Sequence, residues 1–136
     1  MAYTAVATTT GGRNGHVTSS DNLISFDLSL PKELGGAGKA GATNPEQLFA
    51  AGYSACFGSA IQFVAGQEKI HLDGVHVTAH VTIDMNETGF FLAVTLQVKL
   101  DGVAHDVATH LVEKAHTVCP YSKATKGNVV VTLDIL

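Results

Sequence analysis

Between Val75 and Met85 the chain alternates without a break, with Val75, Val77, Ala79, Val81, Ile83 and Met85 on one face and His76, Thr78, His80, Thr82 and Asp84 on the other. A two-residue period of this kind predicts a strand with one face on a core and one in water. Asn86 to Gly89 supply a turn, and Leu92, Val94, Leu96, Val98 and Leu100 resume the alternation until Asp101 and Gly102, so the two strands make a long hairpin. Ahead of the hairpin, Glu46 to about Val64 is apolar on nearly every side, with Phe49, Tyr53, Cys56, Ala60 and Phe63 at three- and four-residue steps. That is the pattern of a helix in the middle of a protein. Its start is marked twice: Thr43 with Glu46 fits a capping box, and Asn44 fits a cap with Pro45 at the first helical position.

The flanks read more simply. Tyr3–Thr10, Arg13–Ser19 and Leu23–Leu30 are short runs rich in Thr, Val and Ile, separated by Gly-Gly and Asp-Asn punctuation, and predict three strands. Residues 31–44 form a glycine-rich loop longer than most connections. After the hairpin, Val107, Leu111, Ala115 and Val118 stripe a helix over Val103–Val118, Cys119-Pro120 opens a short turn, and Val129–Leu136 predicts a closing strand. Three strands, a helix, two strands, a helix and a strand argue for an α+β fold with largely antiparallel sheets around a central apolar helix.

With 136 residues the chain has room for one domain, residues 1–136, built on a single core. It is 46% hydrophobic and only 15% charged, so part of its apolar surface is expected at an interface. The net charge of −4 comes with no basic block, which removes the electrostatic footprint of a nucleic-acid binder. No run approaches the roughly 20 apolar residues of a membrane span, and Met1–Thr10 lacks the basic and apolar regions of a signal peptide, so a cytoplasmic protein is predicted. The glycines before Lys39 do not make a phosphate loop, because Ala40 stands where Ser or Thr is needed and no strand pattern leads into them.

The candidate chemistry lies in two cysteines. Cys56 is in mid-helix among Tyr53, Ser54, Ala55 and Phe57, and Cys119 precedes a proline far along the chain, so they form no Cys-x-x-Cys unit. A pair of thiols in a reducing compartment suits catalysis or sensing better than a structural staple, although a Cys on an apolar helix also packs as a small hydrophobe. To act as a nucleophile the first sulfur must be a thiolate, and a dry site raises its pKa unless a cation is near. Arg13, bracketed by Gly12 and Asn14, is the sole arginine; its guanidinium stays charged when desolvated and can hold a thiolate and a carboxylate together.

The run Thr43-Asn44-Pro45-Glu46-Gln47-Leu48-Phe49-Ala50-Ala51-Gly52-Tyr53-Ser54-Ala55-Cys56-Phe57 resembles the signature of the organic hydroperoxide resistance branch of the Ohr/OsmC family. Val118-Cys119-Pro120-Tyr121-Ser122 with Ala124-Thr125-Lys126-Gly127-Asn128 resembles its second motif, and Gly12-Arg13-Asn14-Gly15 its first-hairpin arginine motif. The likeness covers essentially the whole chain. It implies that Cys56 is the peroxidatic cysteine, Cys119 the resolving cysteine, and Arg13 with Glu46 the polar pair that keeps the thiolate poised. It further implies an intertwined homodimer with active sites at the subunit interface, alkyl and lipid hydroperoxides as substrates, and a dithiol reductant such as a dihydrolipoyl group on a lipoylated protein.

Under that reading Cys56 attacks a peroxide oxygen and becomes a sulfenic acid, Cys119 condenses with it, and an external dithiol reopens the disulfide, with no metal or other cofactor. The two sulfurs are expected near enough to bridge with little rearrangement. Phe49, Tyr53, Phe57 and Phe63, with Phe90 and Phe91 from the hairpin, are candidates for an apolar substrate pocket. Ten residues of unbroken helix would separate Glu46 from Cys56 by about 15 Å, so either the helix starts after Glu46 or Glu46 serves the other subunit. The histidines, His76 and His80 among them, show no familiar zinc spacing. A redox-responsive binding protein that uses the same cysteine pair as a switch is the alternative from another functional class.

Overall fold

The computed structural model describes all 136 residues, Met1–Leu136. The chain divides into two compact units, Met1–Leu48 and Phe49–Leu136.

In the first unit β1 (Ala7–Thr10), β2 (His16–Ser19) and β3 (Ser25–Asp27) form an antiparallel sheet in that order, with Thr10 opposite His16 and Val17 opposite Phe26. Residues 13–15, expected to begin the second strand, instead belong to the connection, because Gly12–Asn14 is a single turn of 3-10 helix closed by Gly15 N–H donating to Gly12 O at 3.1 Å. Gly15 could be nothing else: a Cβ there would fall 1.6 Å from the carbonyl oxygen of Thr10. Asn14 secures the turn from outside, its Oδ1 accepting the Leu30 N–H at 2.9 Å. A second 3-10 turn, Lys32–Leu34, lies in the glycine-rich loop, and Thr43 then runs beside Leu28 in an isolated parallel bridge. Val17 and Leu28 are the buried apolar residues here.

Helix α1 (Pro45–Gln67) runs for 23 residues without interruption. Asn44 Oδ1 accepts the Gln47 N–H at 2.9 Å, so of the two starts open in the sequence Asn44 supplies the cap and Pro45 the first helical residue. Contrary to the expectation from the sequence, α1 is long and apolar enough to pass for a membrane span by length and composition. Tyr53, Phe57, Ala60, Ile61, Val64 and Ala65 nevertheless bury one side of it in protein.

The second unit places that side on a sheet ordered β4 (Gly74–Asn86), β5 (Gly89–Asp101), β6 (Val130–Ile135). The hairpin is antiparallel over its full length, from Gly74 opposite Asp101 to Asn86 opposite Gly89. β6 pairs with β5 in parallel, Ala93 opposite Val130, so this sheet is mixed. A parallel neighbour needs a crossover, which α2 (His105–Val118) and α3 (Pro120–Thr125) provide. α3 replaces the expected short turn: Cys119, extended at ψ 124°, breaks the path between the two helices, and Pro120 at the next position starts the new one.

The core joins Tyr53, Phe57, Ile61 and Val64 of α1 to Val94, Leu96 and Val98 of β5 and to Leu111, Val112 and Ala115 of α2. Alternation on β5 and the stripe on α2 thus converge, and each large side chain buried here contributes about 1.5–3 kcal/mol. Cys119 belongs to the same cluster and has no exposed surface.

Candidate active site

The α1 stripe that builds the core also carries Cys56, one helical turn beyond Tyr53 and next to Phe57. Cys119 reaches it from the break between α2 and α3, and its thiol lies 3.4 Å from Cys56 Sγ, with Cys119 as donor. Both cysteines are free thiols; Cys119 is buried, whereas Cys56 retains access to solvent. Two sulfurs from residues 63 positions apart therefore meet at one point of the second unit.

The electrostatics of Cys56 oppose its use as a nucleophile. Burial is the largest influence and pushes its thiol above the ordinary value of 9.0. The Tyr121 backbone N–H donates to the sulfur and lowers the pKa, and the neighbouring Cys119 raises it, first through the contact between the two thiol groups and then through charge. No cation is among the groups acting on it. The Tyr121 amide escaped the sequence reading, although Cys119-Pro120 held a signal: a proline in the first position of a helix leaves the next residue's N–H as the first free amide.

Arg13 and Glu46 meet within the first unit. Arg13 Nη1 donates to Glu46 Oε1 at 2.6 Å and Nη2 to Oε2 at 3.1 Å, a two-pronged ion pair in which the carboxylate is largely buried and the guanidinium about a third exposed. The Glu46 bond raises the Arg13 pKa further above its already high value. Because Asn44 caps α1, Glu46 is free for Arg13. Since α1 is unbroken, Glu46 precedes Cys56 by ten residues of one helix, about 15 Å along its axis.

The aromatic residues named from the sequence separate into three situations. Phe49 lines an apolar groove of about 490 Å³ together with Leu92, Tyr121, Ala124, Asn128 and Val129. Tyr53 and Phe57 are fully buried and serve the core, so they cannot form a groove wall within this chain. Phe63 is exposed, as are Phe90 and Phe91 at the hairpin tip. The groove adjoins the sulfurs through Tyr121, whose N–H faces Cys56 while its ring forms part of the wall and packs 6.3 Å from the Phe49 ring. Leu92 and Val129 were not distinguishable from core positions in the sequence.

Behind Cys119 lies a polar cluster built from Tyr53, Ser122 and Thr125 of the quoted motifs and from His116, to none of which the sequence assigned a role in the site's hydrogen bonding. Ser122 Oγ is 2.8 Å from Tyr53 Oη and 2.7 Å from His116 Nδ1, and Tyr53 Oη is also 3.4 Å from Thr125 Oγ1. Burial holds His116 below its ordinary pKa of 6.5. The other histidines with partners each meet one carboxylate, His16 with Asp27 and also the Ser25 hydroxyl, His71 with Asp73, His76 with Asp101 and His110 with Glu68, and no three metal-binding side chains converge.

Comparison with known proteins bears on this arrangement. The model of a family described as OsmC-like protein matches residues 36–134. The organic hydroperoxide resistance protein of Xanthomonas axonopodis pv. citri is 52% identical over 136 residues, which cover 99% of this chain and 95% of that protein. Among solved structures, an organic hydroperoxide resistance protein from Legionella pneumophila superposes with a TM-score of 0.92 at 53% identity, covering 98% of this chain and 96% of the other. OhrB of Bacillus subtilis superposes with a TM-score of 0.91 at 45% identity and 98% coverage of both chains.

Proposed function

Because the chain belongs to the OsmC-like protein family, in its organic hydroperoxide resistance branch, we propose that it detoxifies organic hydroperoxides as a two-cysteine thiol peroxidase. The observation that carries the reading is the 3.4 Å separation of the Cys56 and Cys119 sulfurs, one accessible and one buried.

The Cys56 thiolate attacks the terminal oxygen of the hydroperoxide. An S–O bond forms as the O–O bond breaks, the alkoxide leaves and takes a proton to become the alcohol, and Cys56 is oxidised to the sulfenic acid. Cys119, as thiolate, attacks that sulfur. An S–S bond forms, hydroxide leaves and is protonated to water, and the substrate has been reduced by two electrons. A dithiol then restores the enzyme: its thiolate forms a mixed disulfide, the second thiol displaces the enzyme sulfur, and the reductant departs as its own disulfide. Cys56 is the sulfur an outside thiol can reach, so the mixed disulfide forms there and Cys119 is the leaving group. A dihydrolipoyl group fits this role because it carries both thiols in one molecule. No metal or bound cofactor takes part in these steps.

Arg13 and Glu46 supply the missing positive field. Burial alone leaves Cys56 protonated at neutral pH, and a guanidinium held by a carboxylate is the group able to reverse that. The length of helix between Glu46 and Cys56 favours action across a dimer, with the pair of one protomer serving the sulfur of its partner. In this scheme the groove beside Tyr121 takes the hydrocarbon part of the substrate, with Phe49, Leu92 and Val129 selecting bulky alkyl groups over hydrogen peroxide.

Steady-state turnover tests the reading directly. Cumene hydroperoxide is expected to be reduced much faster than hydrogen peroxide, and dihydrolipoamide to support turnover better than glutathione. Reversible oxidation of the cysteines without catalytic turnover under any dithiol would instead identify a redox-responsive binding protein.

A further inference from the structure

One buried hydroxyl is bonded to two side chains, and each of these lies three residues before a cysteine. Tyr53 precedes Cys56 on α1, His116 precedes Cys119 at the end of α2, and Ser122 Oγ stands 2.8 Å from the Tyr53 hydroxyl and 2.7 Å from His116 Nδ1. Ser122 itself is 1% exposed and belongs to α3, the helix that begins directly after Cys119. Three helices are thereby tied at a single oxygen, beside the point where the sulfurs meet.

We propose that Ser122 and His116 are positioning residues for the Cys56–Cys119 pair: the Tyr53–Ser122–His116 chain sets the closing distance between the two sulfurs. The proposal rests on the pairing of these cysteines in the reading above and extends it to residues that touch neither sulfur.

The chemistry of the cluster suits a fixed strut. Residues three apart on a helix share a face, so Tyr53 anchors the turn of α1 from which Cys56 projects. His116 does the same for the last turn of α2, with its ring packed 6.3 Å from that of Phe57. A neutral imidazole can accept the Ser122 proton at Nδ1 while the Ser122 oxygen accepts the proton of Tyr53, which satisfies the two buried hydroxyls at once. The Tyr53 ring further packs 5.7 Å from that of Tyr121. The latter ring lies close against α1 at Gly52, where a Cβ would come within 3.1 Å of the Tyr121 hydroxyl and press the ring outward. Both sides of the sulfur pair are thus referred to the same short segment, residues 119–122. Free to rotate, that segment would offer the second thiol to the first at a lower effective concentration.

The redox potential of the Cys56–Cys119 disulfide measures that effective concentration, and it does so without any peroxide. Equilibration in dithiothreitol buffers is expected to show Ser122→Ala with a disulfide about tenfold less favoured than in the unchanged protein, a potential higher by about 30 mV. His116→Phe, which keeps a ring against Phe57 but no Nδ1, should move in the same direction, and His116→Asn, which restores a hydrogen-bonding atom, should return most of the shift. A uniform loss of stability lowers the melting temperature without changing the balance between bridged and open forms, so the potential separates positioning from general support. Potentials of Ser122→Ala and His116→Phe equal to that of the unchanged protein, with folding intact by circular dichroism, would overturn the proposal. If the unchanged protein forms the disulfide but turns over no hydroperoxide, the peroxidase reading fails while the positioning role stands.

Discussion

Glu46 engages Arg13 with both carboxylate oxygens, at 2.6 and 3.1 Å, while the helix that carries it is capped by Asn44. A residue at a position suited to a capping box is therefore committed to an arginine 33 positions earlier in the chain. On the proposed mechanism that commitment concerns catalysis. Arg13→Ala should leave the fold intact, move the inflection of Cys56 alkylation to higher pH and slow reaction with cumene hydroperoxide by at least tenfold. Arg13→Lys should recover part of the loss, since an ammonium keeps the charge but not the two-pronged geometry. An unchanged alkylation profile in Arg13→Ala would assign the activation of Cys56 to the Tyr121 amide alone.

Whether the pair acts across a dimer is open to a complementation experiment. Mixed after subunit exchange, Arg13→Ala and Cys56→Ser protomers should regain activity, because one site of each heterodimer unites an intact Cys56 with an intact Arg13. Action within one protomer yields no intact site and no recovery. Sedimentation of the unchanged chain as a monomer at micromolar concentration would dismiss the arrangement altogether.

The cysteines divide by step. Cys56→Ser should abolish even the first turnover. Cys119→Ser should react once and accumulate sulfenic or further oxidised Cys56, detected as mass increments of one or more oxygens on the peptide containing residue 56. Equal first-turnover rates in the two variants would reverse the assignment of roles.

Substrate choice should respond to the groove wall. Leu92→Ala and Val129→Ala each remove apolar surface beside Tyr121, and kcat/KM for cumene hydroperoxide is expected to fall about tenfold in each, in the range that small changes in apolar contact produce. The rate with hydrogen peroxide, which has no alkyl group to seat, should change little. Parallel losses for both substrates would mean that the groove supports the fold and not selection.

His116 makes the stability of the protein depend on pH in a defined direction. Burial lowers its folded-state pKa below 6.5, so between that lowered value and 6.5 the unfolded chain binds more protons than the folded one. Stability therefore rises with pH through this window and is lost on acidification. Melting temperatures measured from pH 7.5 down to pH 5 should fall more steeply for the unchanged protein than for His116→Asn, which has no proton to take up at that position.

Patterns with a fixed period were the most legible part of the sequence. Alternation located β4 and β5 to within a few residues, and the marks at Asn44 and Pro45 located the start of α1, because period and caps are local properties. The direction of β6 was not legible, since a strand pattern does not state whether its neighbour runs parallel. Nor was α3, whose existence depends on the extended break at Cys119. At Tyr53 and Phe57 an all-round apolar helix gave no means of separating core from pocket. Of the site, the family motifs drew attention to Cys56, Cys119, Arg13 and Glu46. The bonding role of Ser122, a residue of the second motif, was not legible because its partner Tyr53 is 69 positions away, and the Tyr121 amide was marked only indirectly, by the proline before it.

In the reduced protein the two sulfurs are 3.4 Å apart, and a disulfide needs about 2.05 Å, so oxidation brings them together by about 1.4 Å. That is the scale of a side-chain adjustment at the two cysteines. On the proposed mechanism hydroperoxide and dithiol then use one entrance, at Cys56, in alternate half-reactions. Each can occupy the form meant for the other. The kinetic signature is a ping-pong pattern with competitive inhibition by both substrates at high concentration.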